Sequence, residues 1–396
     1  MHRKQKKCLV IHYGEIALKG NNRRFFENKL IKNIKRALQG LAFDEVERLQ
    51  GRFLVHLPEE AAETMLTSRL KYVFGISHFS LGLAVPREMR FIKEAAWALL
   101  QDLPFDSFKI NTKRAEKDFP LNSVEINREV GAFVQERCGK RVDLSHPQAT
   151  CFIEIAGPYA LLYTEKVPGL RGLPVGVSER AVSLLSSGID SPVASYLMLK
   201  RGVQVVYTHF HSQPFTSKAS EENVQRLVEI LSKYQFRARV YFIPFIDLQK
   251  EIMARCPQRL RVLLYRRYMV RLAERIAEAE NATALVTGEN VGQVASQTLS
   301  NLRVVGEVTG LPILRPLAGY DKEEIIQLAK QIGTYQTSIE PYEDCCSLFV
   351  PANPETRANP EDLAKAERLL NNVESLMAEA LASAKLQTVE VDYACP

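Results

Sequence analysis

Residues 182–192 read Val182-Ser183-Leu184-Leu185-Ser186-Ser187-Gly188-Ile189-Asp190-Ser191-Pro192. A short apolar strand runs into a small polar turn, and Ser191-Pro192 suit the N-cap and first position of a helix. Backbone N–H groups and the positive end of a helix then face any anion lying beyond the strand. Small side chains at 186–188 let a phosphate approach the backbone, and Asp190 could position a magnesium ion on it. The stretch is neither a GK[ST] loop nor a GxGxxG turn. A plain strand-to-helix corner would use similar residues, so the flanking sequence has to decide.

Downstream, strands at 181–185, 203–209, 239–243 and 284–287 alternate with helices from 191, over 220–234 and over 259–279. This alternation predicts a parallel sheet with helices on both faces. From Asp321 onward the chain reads as mostly helical. Upstream, Val167–Gly176 (VPGLRGLPVG) holds three glycines and two prolines and reads as a linker. Before it, a strand at 8–13, a helix at 22–38, strands at 45–49 and 53–57, a helix at 59–70 and a strand at 76–83 follow the ferredoxin-like order. A further α/β unit has a helix from 91 to 100, a strand at 108–113, a helix at 123–138 and a closing hairpin of 151–155 with 159–167. The expected division is therefore 1–75 as an N-terminal ferredoxin-like α+β domain, 76–168 as a second α/β domain, 169–178 as linker and 179–396 as the parallel-sheet domain.

A chain of 396 residues, 46% hydrophobic and 25% charged, is an ordinary soluble globular protein of two or three domains. It contains no apolar run of ~18 residues that could span a bilayer. The basic start at 1–7 leads directly into Cys8-Leu9-Val10-Ile11 without a signal-peptide pattern, so a cytoplasmic location is expected. Seven scattered cysteines, an odd number, exclude a disulfide framework. Cys8, Cys138 and Cys151 sit in apolar or periodic segments and are expected to be buried. No CxxC or Cys/His spacing points to zinc or an iron–sulfur cluster, and no metal-ligating set is expected. The net charge of +6 is uneven: residues 1–40 carry 11 Lys/Arg against 2 Asp/Glu, and 250–275 carry 8 against 2. Such patches suit a polyanion or serve as solvated helix faces.

The 186–191 turn resembles the SGGxDS signature of the PP-loop ATP pyrophosphatases, which split ATP into AMP and pyrophosphate. Ser187 stands where that family usually has glycine; if the position needs positive φ, serine costs roughly 1 kcal/mol. Four further segments resemble the tRNA uridine 4-sulfurtransferases, the ThiI family. Gly14-Glu15-Ile16-Ala17-Leu18-Lys19-Gly20-Asn21-Asn22-Arg23 is similar to its GEIxLKGxNR opening. Asn111-Thr112-Lys113-Arg114 with Lys117-Asp118-Phe119-Pro120 resembles its THUMP domain, an RNA-binding module. Gly172-Leu173-Pro174-Val175-Gly176 is similar to its GLPVG linker. Gly288-Glu289-Asn290 with Gly292-Gln293-Val294-Ala295-Ser296-Gln297-Thr298 resembles its GExxGQVASQT element.

This resemblance, covering about 8–355, implies an N-terminal ferredoxin-like domain, a THUMP domain at 76–168 and a PP-loop domain. It implies ATP and Mg2+ at Leu184, Leu185, Ser186, Ser187, Gly188, Ile189, Asp190 and Ser191, with His209, Phe210, Arg266, Gly288 and Gln297 around the adenosine. His209 reads equally as a strand-end histidine, Gly288 as a turn glycine and Arg266 as part of a basic face with Arg267. Lys19, Arg23, Arg24, Lys113, Arg114 and Lys117 are the implied tRNA contacts. Cys345 aligns with the family's catalytic cysteine, with Cys346 one residue away. The implied reaction adenylates uridine 8 of tRNA and displaces AMP with a persulfide, giving 4-thiouridine. The chain reads as ending in helices at Pro396, so the C-terminal rhodanese-like domain of some relatives is not expected. A cysteine desulfurase is then the expected sulfur source, and a homodimer the expected assembly. Two rival readings remain, an amide-forming PP-loop enzyme and an RNA-binding adaptor.

Overall fold

In the first strand, β1 (Lys6–Tyr13), side chains on both faces are buried, so the strand needs cover on each side. Both its edges are also paired, by the strand Arg52–His56 on one side and the strand Ile76–Pro86 on the other. The computed structural model describes residues 5–215, 218–341 and 353–391. After β1 come α1 (Arg23–Ala37), β2 (Val46–Leu49), β3 (Arg52–His56), α2 (Glu63–Leu70) and β4 (Ile76–Pro86). There follow α3 (Met89–Leu100), β5 (Ser107–Arg114), α4 (Ser123–Cys138), β6 (Arg141–Val142), β7 (Ala149–Ala156), β8 (Tyr159–Tyr163) and β9 (Val167–Pro168). The strands form one sheet in the order β2-β3-β1-β4-β8-β7-β5-β6, with β9 on β4.

β4 joins the two halves of this sheet. One edge pairs with β1 (Leu9↔Leu81) and the other with β8 (Leu83↔Leu162). Gly82 permits the crossing, because a Cβ there would lie 2.0 Å from the Leu162 carbonyl oxygen. Cys8, Val10, Leu54, Ala84, Leu161 and Tyr163 form a shared core, while Ile92, Val130 and Ile153 belong to a second core beneath α3 and α4. Helix α4 starts at a reciprocal cap in which Asn122 accepts from Glu125 N–H and Glu125 accepts from Asn122 N–H. The expected hairpin strand 159–167 is two elements. Its first part, β8, pairs with β7, whereas Val167 leaves to pair with Phe79 of β4.

The chain divides into two compact units, one ending at Pro174 and one beginning at Val175. The second contains β10 (Arg180–Leu184), α5 (Asp190–Lys200), β11 (Gln204–His211), α6 (Ala219–Gln235), β12 (Arg237–Pro244), α7 (Ile246–Arg255) and α8 (Arg261–Glu280). It continues with β13 (Ala284–Val286), α9 (Leu299–Gly306), β14 (Ile313–Leu314), α10 (Lys322–Ile332), α11 (Tyr335–Ser338), α12 (Pro360–Glu367), α13 (Val373–Ala382) and β15 (Lys385–Glu390). Sheet order is β14-β13-β10-β11-β12-β15. The first five are parallel as expected, with Val182 opposite Val206 and Leu285. Val182 packs with Leu264 of α8, whereas the neighbouring Ser183 hydroxyl bonds Ser195 of α5 at 2.9 Å, so helices cover both faces.

Two sequence expectations need correcting. Helix α5 begins at Asp190, which puts Ser191 and Pro192 inside its first turn instead of at the cap. The Ser191 hydroxyl reaches back, donating to Ser186 O at 3.1 Å and accepting from Ser186 N–H at 2.9 Å. The C-terminal region is not helical throughout: β15 pairs antiparallel with β12 as an edge strand.

Candidate nucleotide site

β10 is the point where the parallel sheet changes direction. The chain moves from β10 to β11 and β12 on one side, then returns to place β13 on the other. Ligands of open α/β sheets sit beyond the carboxyl ends of strands at such a switch. A cavity of about 320 Å³ lies there, between the end of β10 and the residues following β13. Leu184, Met269, Val270, Val305 and Ile313 make an apolar wall, and Ser186, Asp190 and Ser191 a polar end. Thr287, Gly288, Glu289, Ser296, Gln297 and Arg266 also line the cavity. An apolar slot ending in a polar turn and a helix N-terminus suits a flat base carrying phosphates.

Seven of the expected residues therefore meet around one cavity: Leu184, Ser186, Asp190, Ser191, Arg266, Gly288 and Gln297. Gly288 is required for close approach, since a Cβ would lie 2.7 Å from Ser191 N. Leu185, Ser187, Gly188 and Ile189 do not line the cavity. Ser187 is fully buried and does not adopt positive φ, so the anticipated backbone strain is absent. His209 and Phe210 are buried and do not line the cavity either. The His209 Nδ1 donates to Leu185 O at 2.9 Å, and Phe210 packs on Phe245 in the core.

Lys322 and Arg315, which sequence reasoning missed, complete the electrostatics together with Gln293 and Glu289. Lys322, at the first position of α10, donates to Asp190 Oδ1 at 2.6 Å, and Gln293 Nε2 lies 3.3 Å from Oδ2. Glu289, only 3% exposed, takes Arg266 on one oxygen and Arg315 Nε on the other at 2.6 Å, with the Thr287 hydroxyl at 2.9 Å. Burial pushes its carboxyl up, but the two guanidinium groups outweigh that and hold it below the usual carboxylate range. Arg266 is thereby fixed toward the cavity, with Nη1 on Ser296 Oγ at 3.0 Å. Lys322 and Arg315 lie 132 and 26 residues from their partners, beyond any local signal.

For a magnesium ion, no cluster of three or more His, Cys, Asp or Glu is present among the described residues. Asp190 is the lining carboxylate not committed to two arginines. One carboxylate with substrate phosphates and water is how Mg2+ is commonly held, so the residues fit.

The thiols sort by burial. Cys8 and Cys151 are pushed up to about 12 and Cys256 to about 11, all by burial, which makes them poor nucleophiles. Cys138 is only half-buried, against expectation. Cys345, Cys346 and Cys395 lie outside the described residues.

Of the expected RNA contacts, Arg24, Lys113 and Lys117 are exposed. Lys19 reaches Glu15 at 3.4 Å, and Arg23 donates to Ala17 O at 2.6 Å. Arg114 turns inward, donating to the carbonyls of Leu121 and Lys117 at 2.8 and 2.6 Å, so it braces its own loop. Much of the basic excess at 250–275 is paired with acidic residues of the same chain. Arg267 and Arg271 share Glu367, and Arg259 and Arg275 pair with Glu355 and Glu374.

Comparison with known proteins agrees with this architecture. Family models match residues 8–80 (ThiI ferredoxin-like domain), 86–165 (THUMP domain) and 176–371 (Thiamine biosynthesis protein, ThiI). A probable tRNA sulfurtransferase of Moorella thermoacetica is 46% identical over 383 residues, covering 96% of this chain and 97% of its own. The chain belongs to the tRNA sulfurtransferase (ThiI) family. The Thermus thermophilus member of that family is 44% identical over 380 residues, 96% of this chain and 93% of its own. A crystal structure of a 4-thiouridine synthetase–RNA complex with bound ATP matches with TM-score 0.89 and 39% identity, over 97% of this chain and all of that one. As a tRNA sulfurtransferase, the protein thus has ferredoxin-like and THUMP domains before a PP-loop domain.

Proposed function

We propose that this enzyme uses ATP to transfer persulfide sulfur to uridine 8 of tRNA, forming 4-thiouridine. The observation that carries the reading is the switch-point cavity, where the 186–191 turn and Lys322 meet an apolar slot. The likeness to an ATP-bound 4-thiouridine synthetase supports it.

The C4 oxygen of uridine is a poor leaving group, so it must first be activated. That oxygen attacks the α-phosphorus of ATP, the bond to the β-phosphate bridging oxygen breaks, and pyrophosphate departs. Loop amides, the α5 N-terminus and Lys322 stabilise the charge that develops on the phosphates. Asp190 orients Lys322 and would hold Mg2+, which supplies further neutralisation when bound. Leu184, Met269 and Val270 grip the adenine, and Arg266, steadied by Glu289, sits at its polar edge. A persulfide sulfur then attacks C4, and AMP leaves with the former C4 oxygen. A second thiol breaks the remaining S–S bond, leaving a disulfide for reduction. Cys345 is proposed to carry or resolve the persulfide.

Segments 1–75 and 76–168 would hold tRNA through Lys19, Arg23, Arg24, Lys113 and Lys117, fixing its position at phosphates. A cysteine desulfurase would supply sulfur, a homodimer would be the working assembly, and the cytoplasm its location. A mercury-affinity gel of unmodified tRNA with ATP, Mg2+ and either sulfide or desulfurase tests the reading. An ATP-dependent retarded band, lost in Asp190→Ala, is expected; loss in Cys345→Ala with desulfurase but not with sulfide assigns that thiol to delivery. No band with any donor, while ATP still binds, would favour the amide-forming or adaptor readings.

A further inference from the structure

We infer that Ser187, Ser220 and His209 form a hydrogen-bonded strut that sets the shape of the nucleotide loop from behind. The inference rests on the nucleotide reading of that loop. The Ser187 side chain points away from the cavity and meets the Ser220 hydroxyl at 3.3 Å. Ser220, in the first turn of α6, lies 3.2 Å from His209 Nε2, and His209 Nδ1 lies 2.9 Å from Leu185 O. All three side chains are buried, at 0, 5 and 3% exposure.

The directions follow from chemistry. A carbonyl oxygen only accepts, so Nδ1 carries a hydrogen; in the neutral ring Nε2 must then accept. Ser220 donates to Nε2 and is left to accept from Ser187. The chain of bonds leaves the loop at Ser187, passes through α6 and β11, and returns to the loop at Leu185. It closes a circuit around Ser186, whose neighbours both ends hold. Glycine at 187 has no hydroxyl to begin it. The departure from the usual SGG pattern is thus an added tether, consistent with the ordinary backbone conformation at Ser187. Ser187 and Ser220 are positioning residues: neither lines the cavity, but both constrain the amides that face it.

The test compares ATP binding by the full-length wild type, Ser187→Ala, Ser220→Ala, the double variant and Ser220→Thr, which keeps the hydroxyl. Each alanine should weaken ATP binding about fivefold, the worth of one net buried hydrogen bond. Because they break one circuit, the double variant should be no weaker than the worse single. In the tRNA thiolation assay KM for ATP should rise while kcat at saturating ATP holds within twofold, and Ser220→Thr should recover most of the affinity. Alanine variants that bind ATP like wild type, or whose losses simply add, overturn the strut while the nucleotide reading stands. Wild type that fails to bind ATP overturns both.

Discussion

Glu289 shows what one buried charge does for this site. A carboxylate 3% exposed would be costly alone, and two guanidiniums with a hydroxyl compensate it. Glu289→Gln keeps the shape but leaves Arg266 and Arg315 unneutralised. It should cost about 3 kcal/mol of stability, read by urea denaturation, and weaken ATP binding about tenfold as Arg266 drifts. The pH sign follows from the depressed carboxyl. Its contribution is present above the ordinary carboxylate range and is lost as pH falls through the lower folded value. The Gln variant should lack that acid limb. At this scale the sequence displayed the residues that share a local motif, such as Asp190, Ser186 and Gly288. It named Glu289 within a motif but gave no hint of its role, which exists only once Arg266 and Arg315 converge on it. His209 shows the converse: its ring, at a strand end beside the loop, faces inward onto Leu185 O.

Helix α10 carries a capping box, with Asp321 accepting from Glu324 N–H at 2.8 Å and Glu324 accepting from Asp321 N–H at 3.0 Å. The next residue is Lys322, so this cap fixes the base of the side chain that reaches Asp190. Asp321→Ala should destabilise by about 1 kcal/mol, the usual worth of such a cap. Its kcat/KM for ATP should fall more than that loss explains, because the first turn frays where Lys322 emerges. Lys322→Ala should lower kcat/KM about a hundredfold with stability nearly unchanged; equal activity would remove Lys322 from the mechanism. The strands and the long α4 and α8 were legible from apolar periodicity and flanking turns. The edge strand β15 was not, because its residues are mostly exposed and show no apolar stripe. The start of α5 was missed because Ser191 bonds backward to Ser186 instead of capping forward.

Across the whole molecule, the two units have separate cores and separate electrostatic tasks. Arg266, Arg267, Arg271 and Arg275 of α8 are bound to acidic residues of their own unit, whereas Arg24, Lys32 and Lys35 on α1 and Lys113 on β5 remain exposed. The unit ending at Pro174 carries an acid sensitivity of its own. His12 and His78 stack at 4.3 Å, and burial, aided by Lys113 and Lys166, pushes them down to about 3 and 4. Arg52 adds to the effect on His12, even with Glu154 beside it at 3.1 Å. Below the ordinary value of 6.5 the unfolded chain binds protons that the folded rings refuse, so stability falls as pH drops from there toward 4. The single tryptophan, Trp97, lies in α3 of this unit and reports its unfolding alone. In urea, the fluorescence transition should move to lower denaturant between pH 6.5 and 4.5, and less so in His12→Asn. ATP at a hundred times its Kd should leave that transition in place. It should instead shift the remaining far-ultraviolet circular dichroism change by about 2.7 kcal/mol, since only the unit from Val175 onward would bind it. A tryptophan transition that follows ATP would mean that the units unfold as one, and that nucleotide in one is felt as stability in the other.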